Sequence, residues 1–172
     1  MSRIAFFTYG ILREAKGHEQ VQGIFDRFEA TFSQLEKSEG FIDRDRGEWG
    51  DRLSPRFFDR DKHVADLLTL SLWTDLESVS AFAYRGPHGE AFKRRREWVL
   101  KPEWPSYVAW WVDADHTPDC EEACQRLEYL HDHGPSDQAF NFKQPFDENG
   151  QAVELDRIRL HQRIKDNEVH AG

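Results

Sequence analysis

Residues 64–87 read VADLLTLSLWTDLESVSAFAYRGP, and the change of period inside this stretch decides the fold. Val64 to Trp73 alternates, with Leu68, Leu70 and Leu72 on one side and Thr69, Ser71 and Trp73 on the other, which predicts a strand. The mixed second side suits a cavity wall better than open water. Thr74 stands three residues before Glu77, a helix-start signal. A short helix then carries Ala81, Phe82, Ala83 and Tyr84, and Gly86-Pro87 breaks it.

Working outward, Ile4 to Tyr9 (IAFFTY) is β-branched and aromatic and predicts a first strand ending at Gly10. Val21, Ile24, Phe25, Phe28, Phe32 and Leu35 recur at helical spacing, so one amphipathic helix is expected over Glu19–Lys37. Gly40 stops it and Phe41-Ile42 begins a second strand. Asp43 to His63 is charge-rich and holds Gly47, Gly50, Pro55 and the isolated aromatics Trp49, Phe57 and Phe58. It reads as a long loop, either a pocket cover or a packed insertion. Downstream, a helix is expected from about His88 to about Leu100, and Tyr107 to Val112 (YVAWWV) as a strand. Thr117-Pro118-Asp119 opens another helix with Pro at its first position, running to His131 and His133 and stopping at Gly134-Pro135. Ala139 to Phe146 reads as an extra strand, Glu148-Asn149-Gly150 as a turn, and the polar chain from about Asp156 as a loosely held tail.

This order predicts an α+β, ferredoxin-like βαββαβ unit with an antiparallel sheet and an appended C-terminal helix and strand. One domain is expected over 1–146, elaborated from about residue 113, with a polar tail over 147–172. Helices cover one face of such a sheet. The other, rich in rings, calls for a second copy of the chain, so a homodimer is expected.

Bulk composition narrows the partners. The formal charge of −9, from 32 acidic and 23 basic residues, argues against a general nucleic-acid surface and against anionic lipid. No apolar run approaches the ~20 residues that span a bilayer. Cys120 and Cys124 sit four apart beside Ala123, Leu127 and Leu130, which reads as a buried helix stripe in a reducing, cytoplasmic protein.

The stretches LTLSLWTDLESVSAFAYRGPHGEAFKRRREW (residues 68–98) and YVAWWVDADHTPDCEEACQRLEYLHDHGPSDQAFNFKQPF (residues 107–146) resemble a domain-of-unknown-function family, number 3291. That family falls in the dimeric α/β barrel superfamily of antibiotic-biosynthesis monooxygenases. A Trp ending a strand, then Tyr-Arg and a His, also resembles spheroidene monooxygenase; here these are Trp73, Tyr84, Arg85 and His88. The resemblance implies an oxygenase, isomerase or cyclase acting without a cofactor on a hydrophobic small molecule, aromatic or isoprenoid. A second implication is a haem protein with His88 as axial ligand, and a third is a ligand-binding protein without catalysis, since one scaffold hosts unrelated chemistries.

His88, at a helix start, is the first candidate: a neutral imidazole is a base or an iron ligand, with a helix cap as the plain alternative. Arg95 or Arg96 shares a side with His88 and Phe92, where a guanidinium would clamp a carboxylate or a haem propionate; a solvated face is the alternative. Tyr84 completes the catalytic set. Tyr9, Trp73, Trp98 and Trp111 are the candidate pocket walls, and core packing competes for each. His131 and His133 point to different sides of their helix, and no metal site is expected.

Overall fold

The computed structural model describes residues 2–47 and 55–170. Trp49, expected to stand in the long loop, lies outside the described residues. The chain runs β1 (Arg3–Leu12), α1 (Glu19–Phe25), α2 (Phe28–Lys37), β2 (Phe41–Arg44), β3 (Ala65–Trp73), α3 (Leu76–Tyr84), α4 (Gly86–Arg94), β4 (Tyr107–Val112), α5 (Cys120–His133) and α6 (Arg157–His170). The strands form one antiparallel sheet in the order β2-β3-β1-β4, the ferredoxin-like arrangement. Register pairs Ile4 with Trp73 and with Trp111, and Phe7 with Leu70 and with Val108.

Side-chain alternation sends the strands to two cores. Ala5, Phe7, Tyr9, Leu70, Leu72, Val108, Trp110 and Val112 face one way. Ile4, Phe6, Trp73 and Ala109 face the other, against Leu35 of α2 and Leu76, Val79 and Phe82 of α3. A third cluster gathers Leu12, Val21 and Trp98.

The first face is where a second copy was expected, and the chain fills it with its own helix. Cys120, Ala123, Cys124, Leu127 and Leu130 recur along one stripe of α5 and pack on that face, with Phe57 beside Tyr9. Both cysteines are buried free thiols, as the stripe predicted. The apolar face for which a second copy was expected is thus covered by α5.

Other differences have local causes. The helix over Glu19–Lys37 is two, because the Arg27 amide bonds back three residues to Ile24 and tightens the turn. The turn lets Ile24 and Phe25 reach the Trp98 cluster while Phe32 and Leu35 pack on the Trp73 side. The cap of α3 is Asp75, which accepts from the Ser78 amide at 2.8 Å; Thr74 instead donates to Asp75. Asp119 caps α5, so Pro118 stands outside it. The helix expected to reach Leu100 ends at Arg94, and a 3₁₀ turn (Arg95–Glu97) returns the chain to β1 through the bridge between Leu12 and Val99. Ala139–Phe146 is no strand. Phe140 makes one bridge to Ala109, and Asn141 then turns the chain by accepting from the amides of Lys143 and Gln144. The expected loose tail is largely α6, docked on α3 through Arg163 and Asp75, 2.8 Å apart.

Candidate functional site

Asp75 starts α3 and Gly86 ends its run, turning at φ +57°, a left-handed value that suits glycine. This turn places His88 in the first turn of α4, against α2 and α3. Its amide donates to Gln34 Oε1 at 3.0 Å, while Gln34 Nε2 donates to the Arg85 carbonyl at 3.1 Å. One side chain thus clamps both ends of the turn. His88 Nδ1 lies 2.8 Å from the Ala83 carbonyl oxygen, so Nδ1 carries the proton and Nε2 is the basic nitrogen. Nε2 has no hydrogen-bond partner among the described residues. The half-buried ring packs on Phe82, centroids 4.6 Å apart. Burial lowers the imidazole's pKa below its ordinary value, with the Ala83 carbonyl opposing, and the neutral form is favoured.

Tyr84 is 43% exposed and opens onto a shelf of rings. It meets Phe92 edge-on at 5.8 Å and Phe142 at 6.1 Å, and Phe142 stacks on Tyr107 at 5.2 Å. The Tyr84 and Tyr107 hydroxyls are 3.5 Å apart, and Tyr107 accepts from the Phe142 amide. Burial, then the Tyr84 hydroxyl, raises the Tyr107 pKa, so that phenol stays protonated. Arg95 closes the edge, its guanidinium 4.0 Å from the Phe92 ring and donating to the Phe92 carbonyl. Phe82, on His88, and Phe142 and Tyr107, beside Tyr84, share one apolar cluster, and Arg95 reaches Tyr84 only through Phe92.

The four candidate pocket walls do not meet. Tyr9 is buried on the α5 side, donating to the Phe57 carbonyl at 2.7 Å. Trp73 is fully buried on the opposite face, its indole donating to Ser71. Trp98 belongs to the third cluster, and Arg96, expected beside His88, sits next to it in that corner. Trp111 alone reaches a cleft, while donating to the Phe146 carbonyl. That cleft, of about 600 Å³, lies at the start of α5 and is polar, with Asp113, His116, Glu122, Arg126 and Asp147 around it. His116 Nε2 and Glu122 Oε2 are 2.5 Å apart there, and Trp110 Nε1 holds the other Glu122 oxygen at 2.9 Å. Sequence reasoning missed this pair, because a six-residue separation across a helix cap has no periodic signature.

His131 and His133 are engaged singly, stacked on Trp104 and on Tyr129. The Phe82 ring packs on the His88 imidazole and Gln34 ties the adjoining backbone, and neither contact takes up Nε2.

With this geometry in hand, residues 3–156 match the family described as Domain of unknown function (DUF3291). The chain belongs to the DUF3291 family. The match includes His88, the ring shelf and α5, and stops before α6. Among solved structures, this DUF3291 chain is similar to SnoaB, a cofactor-independent oxygenase from Streptomyces nogalater, at a TM-score of 0.42 and 12% identity. That likeness covers 69% of this chain and 100% of the other. No curated protein matches it. No helix among the described residues is long and apolar enough to cross a membrane.

Proposed function

We propose that this DUF3291 chain is a small-molecule enzyme of the oxygenase type, with His88 as its base. The observation that carries the reading is the state of His88. One ring nitrogen is held by a backbone carbonyl, the other is unpartnered, and burial favours the neutral imidazole that accepts a proton. The substrate in this reading is flat and hydrophobic, because Phe82, on the base, shares an apolar cluster with Phe142, and Tyr84 lies exposed beside that ring. Nε2 takes a proton from an acidic C–H or O–H and leaves the pair on a ring carbon; dioxygen accepts it as a C–O bond forms, the resulting peroxide takes the proton back, and O–O cleavage with loss of water leaves a carbonyl at that carbon. The same proton removal without dioxygen is the opening step of an isomerase or cyclase. Arg95, exposed at the shelf's edge, faces the developing anion, and the hydroxyls of Tyr84 and Tyr107 offer hydrogen bonds to it.

A single chain is the working unit in this reading, since α5 closes the face a second copy would cover. Its two buried thiols fit a reducing compartment such as the cytoplasm. The alternative of a ligand-binding protein draws on the Gln34 and Ala83 bonds, which would suffice if His88 only braced the turn.

An oxygen electrode separates the two. Polyphenols and hydroxyquinones, offered as a panel, should support dioxygen uptake by the wild-type protein. His88→Ala should lose at least about a hundredfold in rate with an unchanged circular dichroism spectrum. Uptake as fast in His88→Ala as in wild type would remove His88 from the chemistry.

A further inference from the structure

Several arginines of this acidic chain meet carboxylates, while Arg3 and Arg95 meet backbone carbonyls. Arg44 and Arg46 pair with Glu36, Arg56 with Glu128 and Asp132, Arg126 with Glu122, and Arg159 and Arg163 with Asp75. Around Trp98 the pattern changes. Arg13 donates its amide to the Trp98 carbonyl and its Nε to the Arg96 carbonyl, both at 2.9 Å. Arg27 donates to the Gly23 carbonyl and lays its guanidinium 5.0 Å from the centroid of the Trp98 ring. Arg94 approaches the same ring at 5.4 Å, and it alone of the four is ion-paired, to Glu97. Arg96 is exposed, and its side chain has no partner among the described residues.

We propose that Arg13, Arg27 and Arg96, gathered about Trp98, bind the phosphate or diphosphate group of a small organic molecule. Three segments meet at Trp98: the end of β1 bonds its backbone carbonyl, the α1–α2 junction lays Arg27 on its ring, and the 3₁₀ turn holding Arg96 leads into it. Two guanidiniums are held there by neutral groups, a carbonyl each and for Arg27 the ring as well, so their positions are set while their charge is not cancelled. Each keeps most of its five N–H donors for a ligand. Converging forks with uncancelled charge match a multiply charged tetrahedral oxyanion better than a single carboxylate. The net charge of −9 disfavours an extended polyanion, which would have to lie along the acidic surface as well.

The test follows the arginine Nε–H and indole Nε1–H resonances by NMR while inorganic pyrophosphate is added at constant ionic strength. Arg13, Arg27 and Trp98 should shift together and saturate below about 1 mM. Arg13→Gln and Arg96→Gln should each weaken binding about tenfold, and Lys37→Gln, an exposed control elsewhere, should leave it unchanged. Arg96 makes no side-chain contact, so its replacement leaves the fold intact and keeps the test fair. Glycerol phosphate, titrated in parallel, distinguishes the sources: tighter binding than inorganic phosphate assigns the site to an organic ester. Shifts that grow without a plateau, or that ignore both arginine variants, would overturn the site. Tighter binding of a short single-stranded oligonucleotide than of pyrophosphate would overturn the assignment to small molecules.

Discussion

Nη2 of Arg163 lies 2.8 Å from Oδ2 of Asp75, joining the last helix to the cap of α3 across 88 residues of chain. Asp75 also accepts from the Ser78 amide and the Thr74 hydroxyl, so one carboxylate both starts a buried helix and anchors the helix above it. The Asp156 amide donates to Glu77, and the Glu39 amide donates to Asn167, adding two more polar ties. Ile158 and Val169 remain exposed, so α6 is held more by charge than by apolar burial.

Removing Asp75 should therefore cost more than a helix cap. Asp75→Ala loses the cap, worth about 1 kcal/mol, and one of the two carboxylates on Arg163, which keeps Glu39, for a total of about 1–3 kcal/mol. Urea unfolding measures it, and a loss below about 0.5 kcal/mol would show that the Arg163 contact is incidental.

The same carboxylate predicts an acid limit. Burial opposes the charged form of Asp75, but the Ser78 and Thr74 hydrogen bonds and Arg163 outweigh it and hold the pKa below the usual value. Its stabilisation is complete above the unfolded-state pKa of about 3.9 and is lost as pH falls through the lower folded value. Thermal melts of Asp75→Asn should vary less below about pH 4 than those of wild type. Parallel curves for the two proteins would contradict this.

His88 works in the opposite charge sense. Its folded pKa is depressed, so the unfolded chain takes up the proton first, and stability falls as pH drops from about 6.5 toward the folded value. NMR titration should find the His88 ring still neutral at a pH where ordinary surface histidines are half protonated. An ordinary midpoint for His88 would remove the electrostatic basis of its role as base.

Gly23 offers a steric test of the Trp98 corner. A methyl there would come within 2.9 Å of Trp98 Nε1, a contact that forces the indole or α1 to move. Gly23→Ala should destabilise by about 1–3 kcal/mol despite its gain in helix propensity. A stabilised variant would mean that α1 is free to shift off the indole.

The cover on the sheet can be probed at Leu127, which is fully buried. Leu127→Ala should cost about 2–5 kcal/mol. Leu127→Asp should uncover the face and drive self-association, while wild type runs in light scattering at the mass of one chain. A wild-type protein that is dimeric at micromolar concentration would show a second interface elsewhere.

The strands were legible because alternation survives in the side chains: Leu68, Leu70 and Leu72 do face one core and Trp73 the other. The cysteine stripe was legible for the same reason, at helical period. What that stripe packs against was not, since period gives a buried face but not its partner, and so α5 was taken for an elaboration while a second copy was expected. Ala139–Phe146 failed because local Asn141 hydrogen bonds outcompeted its strand propensity. Trp73 and Trp111 share one core while Tyr9 and Trp98 lie in two others, a sorting that composition alone cannot give. Tyr84 and His88 flank the turn at Gly86, while Arg95 stands at the far end of α4 against Phe92.

The placement of α5 bears on how this sheet behaves on dilution. A face covered by another copy is closed only while copies are plentiful, and its stability falls as protein becomes scarce. A cover on the same chain is present at a fixed effective concentration however few molecules there are. The apolar side of this sheet is therefore shielded at the lowest expression level, and in the newly made chain as soon as residues 120–133 have been synthesised.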